Sequence, residues 1–238
     1  DEFMELIWHD ELARMNNGGV SVVLFGITGM SLPHTLKYGS DFLKEKVARP
    51  VIMGQKGVCV TLTEPEGGSD LANMSTTAEK TPCGKYYIVN GLKKFITGGL
   101  TTDFFSTAVR TGGPGHGGIS LMIIDKDLPG VSVKKLQTQG WWAGNTTLVC
   151  FEDVRVPVEN LIGKEGWGFK YLVDVMNHER MIATIGSCRT ARKAMTIAVQ
   201  YARARVTFGK RLIDHQVIRH KIATMVKLVE TLWNTLEM

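Results

Sequence analysis

Apolar positions in the first 56 residues recur at helical spacing. Phe3, Leu6 and Ile7 lead to Leu12 and Met15, and Gly18-Gly19 then interrupts the pattern. A second apolar stretch, residues 20–32, mixes in small residues, as a helix packed inside a bundle does. Pro33 and Gly39 punctuate. Ser40-Asp41 opens a third short helix with Phe42, Leu43, Val47 and Val51 inward. Nothing here alternates regularly, which argues against strands.

The pattern changes near Gly57. Short β-rich runs follow at 58–62, 86–89, 95–96, 104–109, 119–124, 131–133 and 147–151. Turn sequences separate them: Thr81-Pro82-Cys83-Gly84, Asn90-Gly91, residues 112–118 and Leu128-Pro129-Gly130. Asn90-Gly91 between two β-rich runs predicts a hairpin. Such spacing predicts an antiparallel sandwich or barrel. Helical periodicity returns after Pro157. A long helix is expected over 169–204, a break at Thr207-Phe208-Gly209-Lys210, and a second helix from about Asp214. The latter carries Ile218, Ile222, Met225, Val229, Leu232 and Leu236 on one face. The expected fold class is therefore α+β and multidomain. A helical N-terminal part (1–56) precedes a middle antiparallel β-sandwich or barrel (57–160) and a C-terminal helical bundle (161–238), of which the first two helices are present.

Composition narrows the function classes. The chain has 238 residues, 44% hydrophobic and 21% charged, ordinary for a globular protein. The net charge of +5 is modest and the basic residues are scattered, so no nucleic-acid surface is read. One cluster, Arg203, Arg205, Lys210 and Arg211, at a helix end and a helix start, suits a phosphate-bearing ligand or is a solvated corner. Cys59, Cys83, Cys150 and Cys188 are far apart, which excludes zinc ribbons and redox pairs and points to a reduced intracellular setting. No run reads as long and apolar enough to span a membrane, and no signal peptide is recognised. Asp1-Glu2-Phe3 does not read as a natural start, and residues 231–238 are still helical in pattern, so the chain reads as an internal piece of a longer protein.

Three places could carry chemistry. Residues 61–70, Thr-Leu-Thr-Glu-Pro-Glu-Gly-Gly-Ser-Asp, follow a strand and end in a turn. They present N–H groups and a hydroxyl to a flat, polar-edged ligand or an anion, or form only a connection. Residues 112–118 are glycine-rich but lack a phosphate loop's Lys-Ser/Thr, which leaves a flexible hairpin loop. On the long helix, at about 100° per residue, Glu179 falls within roughly 20° of Leu172 and Gly186. Ala183 is a near neighbour. A carboxylate on this apolar, small-residue stripe is either a structural ion pair, with Arg180 or another arginine, or a general base in an apolar pocket. His178-Glu179 fails as a zinc motif because position 182 is Ile, and no histidine spacing supports a metal. There is no Gly-x-Ser-x-Gly elbow, and Met176, Met181 and Met195 read as core.

Four segments in order carry a resemblance: residues 63–70 (Thr-Glu-Pro-Glu-Gly-Gly-Ser-Asp), 90–97 (Asn-Gly-Leu-Lys-Lys-Phe-Ile-Thr), 151–157 (Phe-Glu-Asp-Val-Arg-Val-Pro), and 201–210 with His215-Gln216. Together, from about Gly39 to the end, they resemble the acyl-CoA dehydrogenase family of flavoproteins. The resemblance implies FAD lying between the β domain and the C-terminal bundle. It implies that Val60, Leu62, Thr63 and Ser69 line the flavin or the acyl-CoA. Phe95, Ile96 and Thr97 flank the isoalloxazine, with Phe95 where the family usually has Trp. Arg205, Phe208 and Gln216 hold the FAD of a neighbouring subunit in a homodimer or homotetramer, and Ser69, Asn177 and Arg180 contact acyl-CoA. The implied reaction removes an α-proton to a carboxylate and a β-hydride to flavin N5, with electron-transfer flavoprotein as acceptor. Glu179 stands where the isovaleryl- and long-chain-type enzymes carry the base, and Asn177-His178-Glu179-Arg180 is similar to a fungal or bacterial subgroup. In place of the family's Gly-x-Arg-x-Ser-x-Thr, the chain has Gly140-Trp141-Trp142-Ala143-Gly144-Asn145-Thr146. An acyl-CoA oxidase and a non-catalytic flavin- or acyl-CoA-binding homologue are the alternatives. The implied location is the mitochondrial matrix or a peroxisome in a eukaryote and the cytoplasm in a bacterium.

Overall fold

The computed structural model describes residues 2–15 and 17–237. The chain divides into two compact units, Gly18–Glu179 and the stretches flanking it. The larger unit begins with helices. α2 (Gly18–Phe25) runs through a π turn (Gly26–Ser31) into α3 (Leu32–Tyr38), and α4 (Asp41–Leu43) through a second π turn (Lys44–Ala48) into α5 (Arg49–Ile52). The Ser40 hydroxyl caps α4, accepting from the Leu43 N–H at 3.3 Å. Leu43, Val47 and Val51 are buried as expected, whereas Phe42 is turned outward and exposed.

The run Gly18–Tyr38 is long and apolar enough, by length and composition, to cross a membrane, which corrects the sequence expectation. Its later part, with Ser31, Leu32, His34 and Thr35, is buried by protein, whereas Val20 and Leu24 are exposed. Burial of the His34 imidazole lowers its pKa to about 4, which leaves it neutral.

The strands are β1 (Val58–Thr61), β2 (Thr77–Lys80), β3 (Tyr86–Ile96), β4 (Phe104–Arg110), β5 (Ile119–Asp125), β6 (Val131–Lys135), β7 (Thr147–Pro157) and β8 (Leu161–Ile162). They form one sheet in the order β6-β7-β3-β2-β4-β5-β8, with β1 also on β4. The sheet is mixed rather than antiparallel: β1 and β2 both run parallel to β4. It doubles over on itself. Val89 and Ile96 of β3 and Val149, Phe151 and Val154 of β7 meet Phe105, Val109, Met122 and Ile124 of β4 and β5 in a sandwich core. The other face of β4 and β5 (Phe104, Ala108, Ile119, Leu121 and Ile123) packs on Leu43, Val47, Val51 and Leu172. Both faces of these two strands are thus covered, which is why they read as unbroken apolar runs.

Asn90-Gly91 is not a hairpin turn. It sits inside β3, where the register against β7 shifts between Val89 and Gly91. The Asn90 side chain donates to Asp153 Oδ1 at 3.0 Å and accepts the Asp153 N–H at 2.8 Å. A Cβ on Gly91 would lie 2.7 Å from the Thr76 backbone, at φ +154°. The dipeptide is there for a bulge and a close strand contact. The 112–118 loop is a hairpin pinned from below. Arg110 donates to the Gly113 and Gly115 carbonyls at 2.7 and 3.1 Å and to Ala72 and Met74.

The long helix α6 (Gly168–Ala204) starts against β5. A Cβ on Gly168 would sit 2.5 Å from the Ser120 carbonyl carbon and 2.8 Å from the Leu121 nitrogen. Neither backbone atom can rotate away. Gly168→Ala is therefore expected to cost about 1–3 kcal/mol, read as a lower midpoint in chemical denaturation; an unchanged midpoint would show that the helix start can slide. Farther along the larger unit's part of α6, Asp174 accepts from Lys37 and from the Tyr38 hydroxyl of α3, and Tyr38 stacks on Tyr171 at 4.0 Å.

The smaller unit contains α1 (Glu2–Arg14), the rest of α6, a two-stranded ribbon of β9 (Val206–Thr207) and β10 (Lys210–Arg211), and α7 (Gln216–Glu237). Leu6, Ile185, Cys188 and Leu236 form its core, and Asp10 accepts two hydrogen bonds from Arg189. Val229 and Leu236 of the expected α7 face are buried.

Candidate active site

The chain leaves the sheet at Thr61, whose buried hydroxyl donates to Thr107 Oγ1 at 2.7 Å. Two consecutive residues of β3 hold the next two carbonyls. Lys93 Nζ donates to Leu62 O at 3.1 Å, and the Lys94 N–H donates to Thr63 O at 2.8 Å. Glu64 then turns the chain, its N–H donating to Gly67 O at 2.8 Å. Its carboxylate accepts the Ser75 N–H at 2.6 Å, Ser75 Oγ at 2.7 Å, the Thr76 N–H at 3.0 Å and Lys93 Nζ at 2.8 Å. One buried carboxylate thereby closes the neck of a loop whose outer part, including Ser69 and Asp70, is exposed.

The Glu64–Lys93 pair was not singled out in the sequence. Its side chains are 2% and 0% exposed. Burial works against ionisation of Glu64, but the Lys93 ammonium and the Thr76 and Ser75 donors outweigh it and lower its pKa to about 2. Burial pulls Lys93 below the ordinary lysine range, with Glu64 opposing. The sign for Glu64 is that of a depressed carboxylate. Its stabilising share is complete above its unfolded value of 4.5 and is lost as pH falls from there through about 2. Acid titration of stability is expected to show this loss in the wild type, and Glu64→Gln is expected to remove that part of the slope. An identical slope in the variant would contradict it.

Beyond Lys94 the strand bulges: the register against β7 shifts between Lys93 and Ile96. Phe95 takes φ +61° and is 58% exposed, with the Lys94 ammonium 5.0 Å from the centre of its ring. A left-handed backbone at an aromatic residue costs about 1–3 kcal/mol and persists where the surroundings enforce it. Ile96 turns back into the sandwich core, and its carbonyl accepts Thr147 Oγ1 at 2.9 Å, so its side chain is spent on packing. Thr97 opens onto a cavity of about 90 Å³ lined also by Val23, Gly26, Ile27, Val58 and Cys59. The Gly98 N–H donates to Gly144 O at 2.7 Å, which ties this segment to the 140–146 turn. That turn has Trp141 and Asn145 at φ +57° and +44°, and both of its indoles are exposed.

Within the larger unit the Lys94 N–H joins Thr63 to β3 just before Phe95, and Thr97 follows two residues on; half-buried Val60 and Leu62 precede Thr63, Leu62 packing on the core, and Ser69 lies on the loop above the neck. An exposed ring, threonine hydroxyls and pinned backbone suit a flat heteroaromatic group with polar edges. At the end of this unit Asn177 is exposed and Glu179 is half-buried. On α6 Glu179 falls in line with the buried Leu172, Val175 and Ile182, although Ala183 beside it is exposed. Arg180 is exposed and begins the smaller unit.

Arg205, Phe208 and Gln216 belong to the smaller unit. Phe208 and Gly209, at φ +53° and +76°, make the turn of the β9–β10 ribbon. Phe208 is 96% exposed, and its ring makes a T-shaped contact with His215, at 6.4 Å between ring centres. Arg205 and Gln216 are exposed, and Arg211 is paired with Asp214 at 3.1 Å. Of the basic cluster, Arg203, Arg205 and Lys210 stand exposed on the same corner.

Comparison with known proteins agrees with this layout. Residues 59–154 match the family model for the acyl-CoA dehydrogenase middle domain, and residues 166–237 match that for the acyl-CoA dehydrogenase C-terminal domain. The acyl-CoA dehydrogenase apdG of Emericella nidulans is 44% identical over 232 residues, covering 97% of the chain and 53% of that protein. The crystal structure of a probable acyl-CoA dehydrogenase from Mycobacterium abscessus superposes with a TM-score of 0.92 at 41% identity, covering 97% of the chain and 61% of that structure. An acyl-CoA dehydrogenase from Bacillus anthracis solved with FAD gives 0.91 at 27% identity, covering 99% of the chain and 40% of its own. The chain spans about half the length of the curated relatives it matches.

Proposed function

We propose, since the chain belongs to the acyl-CoA dehydrogenase family, that the protein oxidises an acyl-CoA thioester between its α and β carbons. FAD is the cofactor of this family reading, and it supplies the acceptor for the β-hydride. The observation that carries the proposal is Phe95. An exposed aromatic residue on a strained backbone, one residue after the Lys94 N–H that holds Thr63 and two before Thr97, supports the reading of a surface for one face of a flavin, and the fold holds it there at a cost.

In this reading Phe95 packs on the flavin while Thr63 and Thr97 hydrogen-bond its polar edge. Val60 and Leu62 supply apolar contact, and the Ile96 backbone continues that wall. Ser69 on the outer loop, with Asn177 and Arg180 on α6, contacts the acyl-CoA. Glu179 takes the α-proton; its half-buried place on α6, in line with Leu172 and Val175, leaves the carboxylate partly out of water. Hydrogen bonds to the thioester oxygen stabilise the enolate as it forms. Arg205, the exposed Phe208 ring and Gln216 reach the FAD of a neighbouring subunit, which makes the working form a homodimer or homotetramer. Electron-transfer flavoprotein reoxidises the enzyme, in the mitochondrial matrix of a eukaryote or the cytoplasm of a bacterium.

Oxygen uptake tests the choice of acceptor. The full-length protein with its acyl-CoA is expected to reduce an electron-transfer flavoprotein and to consume little oxygen. Stoichiometric oxygen consumption with peroxide release would make it an oxidase instead.

A further inference from the structure

The strained Phe95 backbone needs a cause, and a buried ion pair stands two residues before it in β3, where the register shift begins. Lys93 and Lys94 immediately precede Phe95 in β3, and they hold the Leu62 and Thr63 carbonyls. Lys93 also holds Glu64, and Glu64 holds the Ser75 and Thr76 amides. A single network therefore joins three things: the exit from β1, the neck of the loop that carries Ser69, and the strand residue before the Phe95 bulge. Burying a lysine and a glutamate together is seldom the cheapest way to fill a core, since apolar side chains of the same size do that without desolvating two charges. What the charges add is geometry. Lys93 uses its three donor positions on Glu64 Oε1, Leu62 O and Met74 Sδ, the last at 3.9 Å, and Glu64 has four donors around its carboxylate. An apolar pair would leave the Leu62 carbonyl and the two amides to find partners elsewhere.

We infer that the buried Glu64–Lys93 pair is a positioning element: it fixes Leu62, Thr63 and Phe95 as one rigid wall for the cofactor and the Ser69 loop for the substrate. The inference rests on the flavin reading of that wall. The pair touches no reacting atom and acts through the residues it holds.

The test uses the full-length holoenzyme. Wild type, Glu64→Gln/Lys93→Met and Glu64→Asp are compared for melting temperature, FAD dissociation constant and visible circular dichroism of the bound flavin. The double variant removes both charges together, so it is expected to melt within a few degrees of wild type. Its FAD binding is nonetheless expected to weaken about tenfold, the scale on which losses in a supporting shell act, with an altered flavin dichroism. Glu64→Asp keeps the charges but shortens the reach by one methylene. It is expected to shift the dichroism in the same sense, and it carries the test if the double variant does not fold. Wild-type affinity and dichroism in a folded variant would overturn the positioning role and leave the flavin reading standing. Failure of the wild type itself to bind FAD would overturn the flavin reading.

Discussion

Glu179→Gln in the full-length protein is expected to lower kcat for acyl-CoA oxidation by about 10²–10⁴-fold, the usual contribution of a positioned acid–base group. Glutamine matches glutamate in size and shape, so the α6 helix survives the change. What it cannot do is take a proton. The loss is therefore expected in turnover, with FAD content and melting temperature held near wild type. Single-turnover reduction of the flavin under anaerobic conditions is the clean readout, because it isolates the chemical step from reoxidation. Full-rate reduction in the variant would remove Glu179 from the base position and leave it a structural carboxylate.

Lys93→Met alone is expected to be the most damaging single substitution for stability in the larger unit. Methionine is close to lysine in length and fits the same channel. The variant leaves the Glu64 carboxylate buried at 2% exposure with its ammonium partner gone. Breaking a buried pair from one side costs about 3–5 kcal/mol, more than removing both partners. The pH dependence supplies a signature. With Lys93 gone, Glu64 is no longer held down to about 2, so the stability lost between pH 4.5 and 2 in the wild type shrinks in the variant. Glu64→Gln/Lys93→Met is expected to recover most of the loss. A double variant no more stable than Lys93→Met would show that the two side chains do not act as a pair.

Local chemistry explains which parts of the fold were legible. The helices of the first 56 residues, the long α6 and the α7 face follow from periodicity. The runs at 104–109 and 119–124 read as strands because both of their faces are buried. Asn90-Gly91 misled because the residues that make a tight turn also make a bulge. Only the partner strands decide, and here Thr76 fills the space above Gly91. β2 gave no signal, since Thr77-Ala78-Glu79-Lys80 buries only Ala78. The parallel pairing of β1 with β4 joins residues more than forty apart, which no local pattern encodes. The apolar run from Gly18 to Tyr38 reads in the sequence as a shorter bundle helix over 20–32, because Gly18-Gly19 and Pro33 look like its ends rather than parts of one continuous helix.

The candidate site divides the same way. Its exposed residues, Ser69, Phe95, Phe208 and Gln216, were found through short motifs, and the structure displays them at a bend, a bulge, a ribbon turn and a helix start. The supporting pair was missed for the same reason as the bulge. Splitting β3 at Asn90-Gly91 hid Lys93 inside a strand, where a lysine demands a carboxylate. Glu64 was seen as part of a turn rather than as that carboxylate. Read as one strand, residues 86–96 would have raised the question that Glu64 answers.

The central claim is that this wall holds a flavin that acyl-CoA reduces. The most direct measurement is the visible spectrum of the full-length protein before and after anaerobic addition of a panel of acyl-CoAs. A bound flavin whose absorbance bleaches with one class of acyl chain is the predicted result, and it would name the substrate class as well. A protein that holds no flavin, even after reconstitution with FAD, or a flavin that no thioester bleaches, would contradict it.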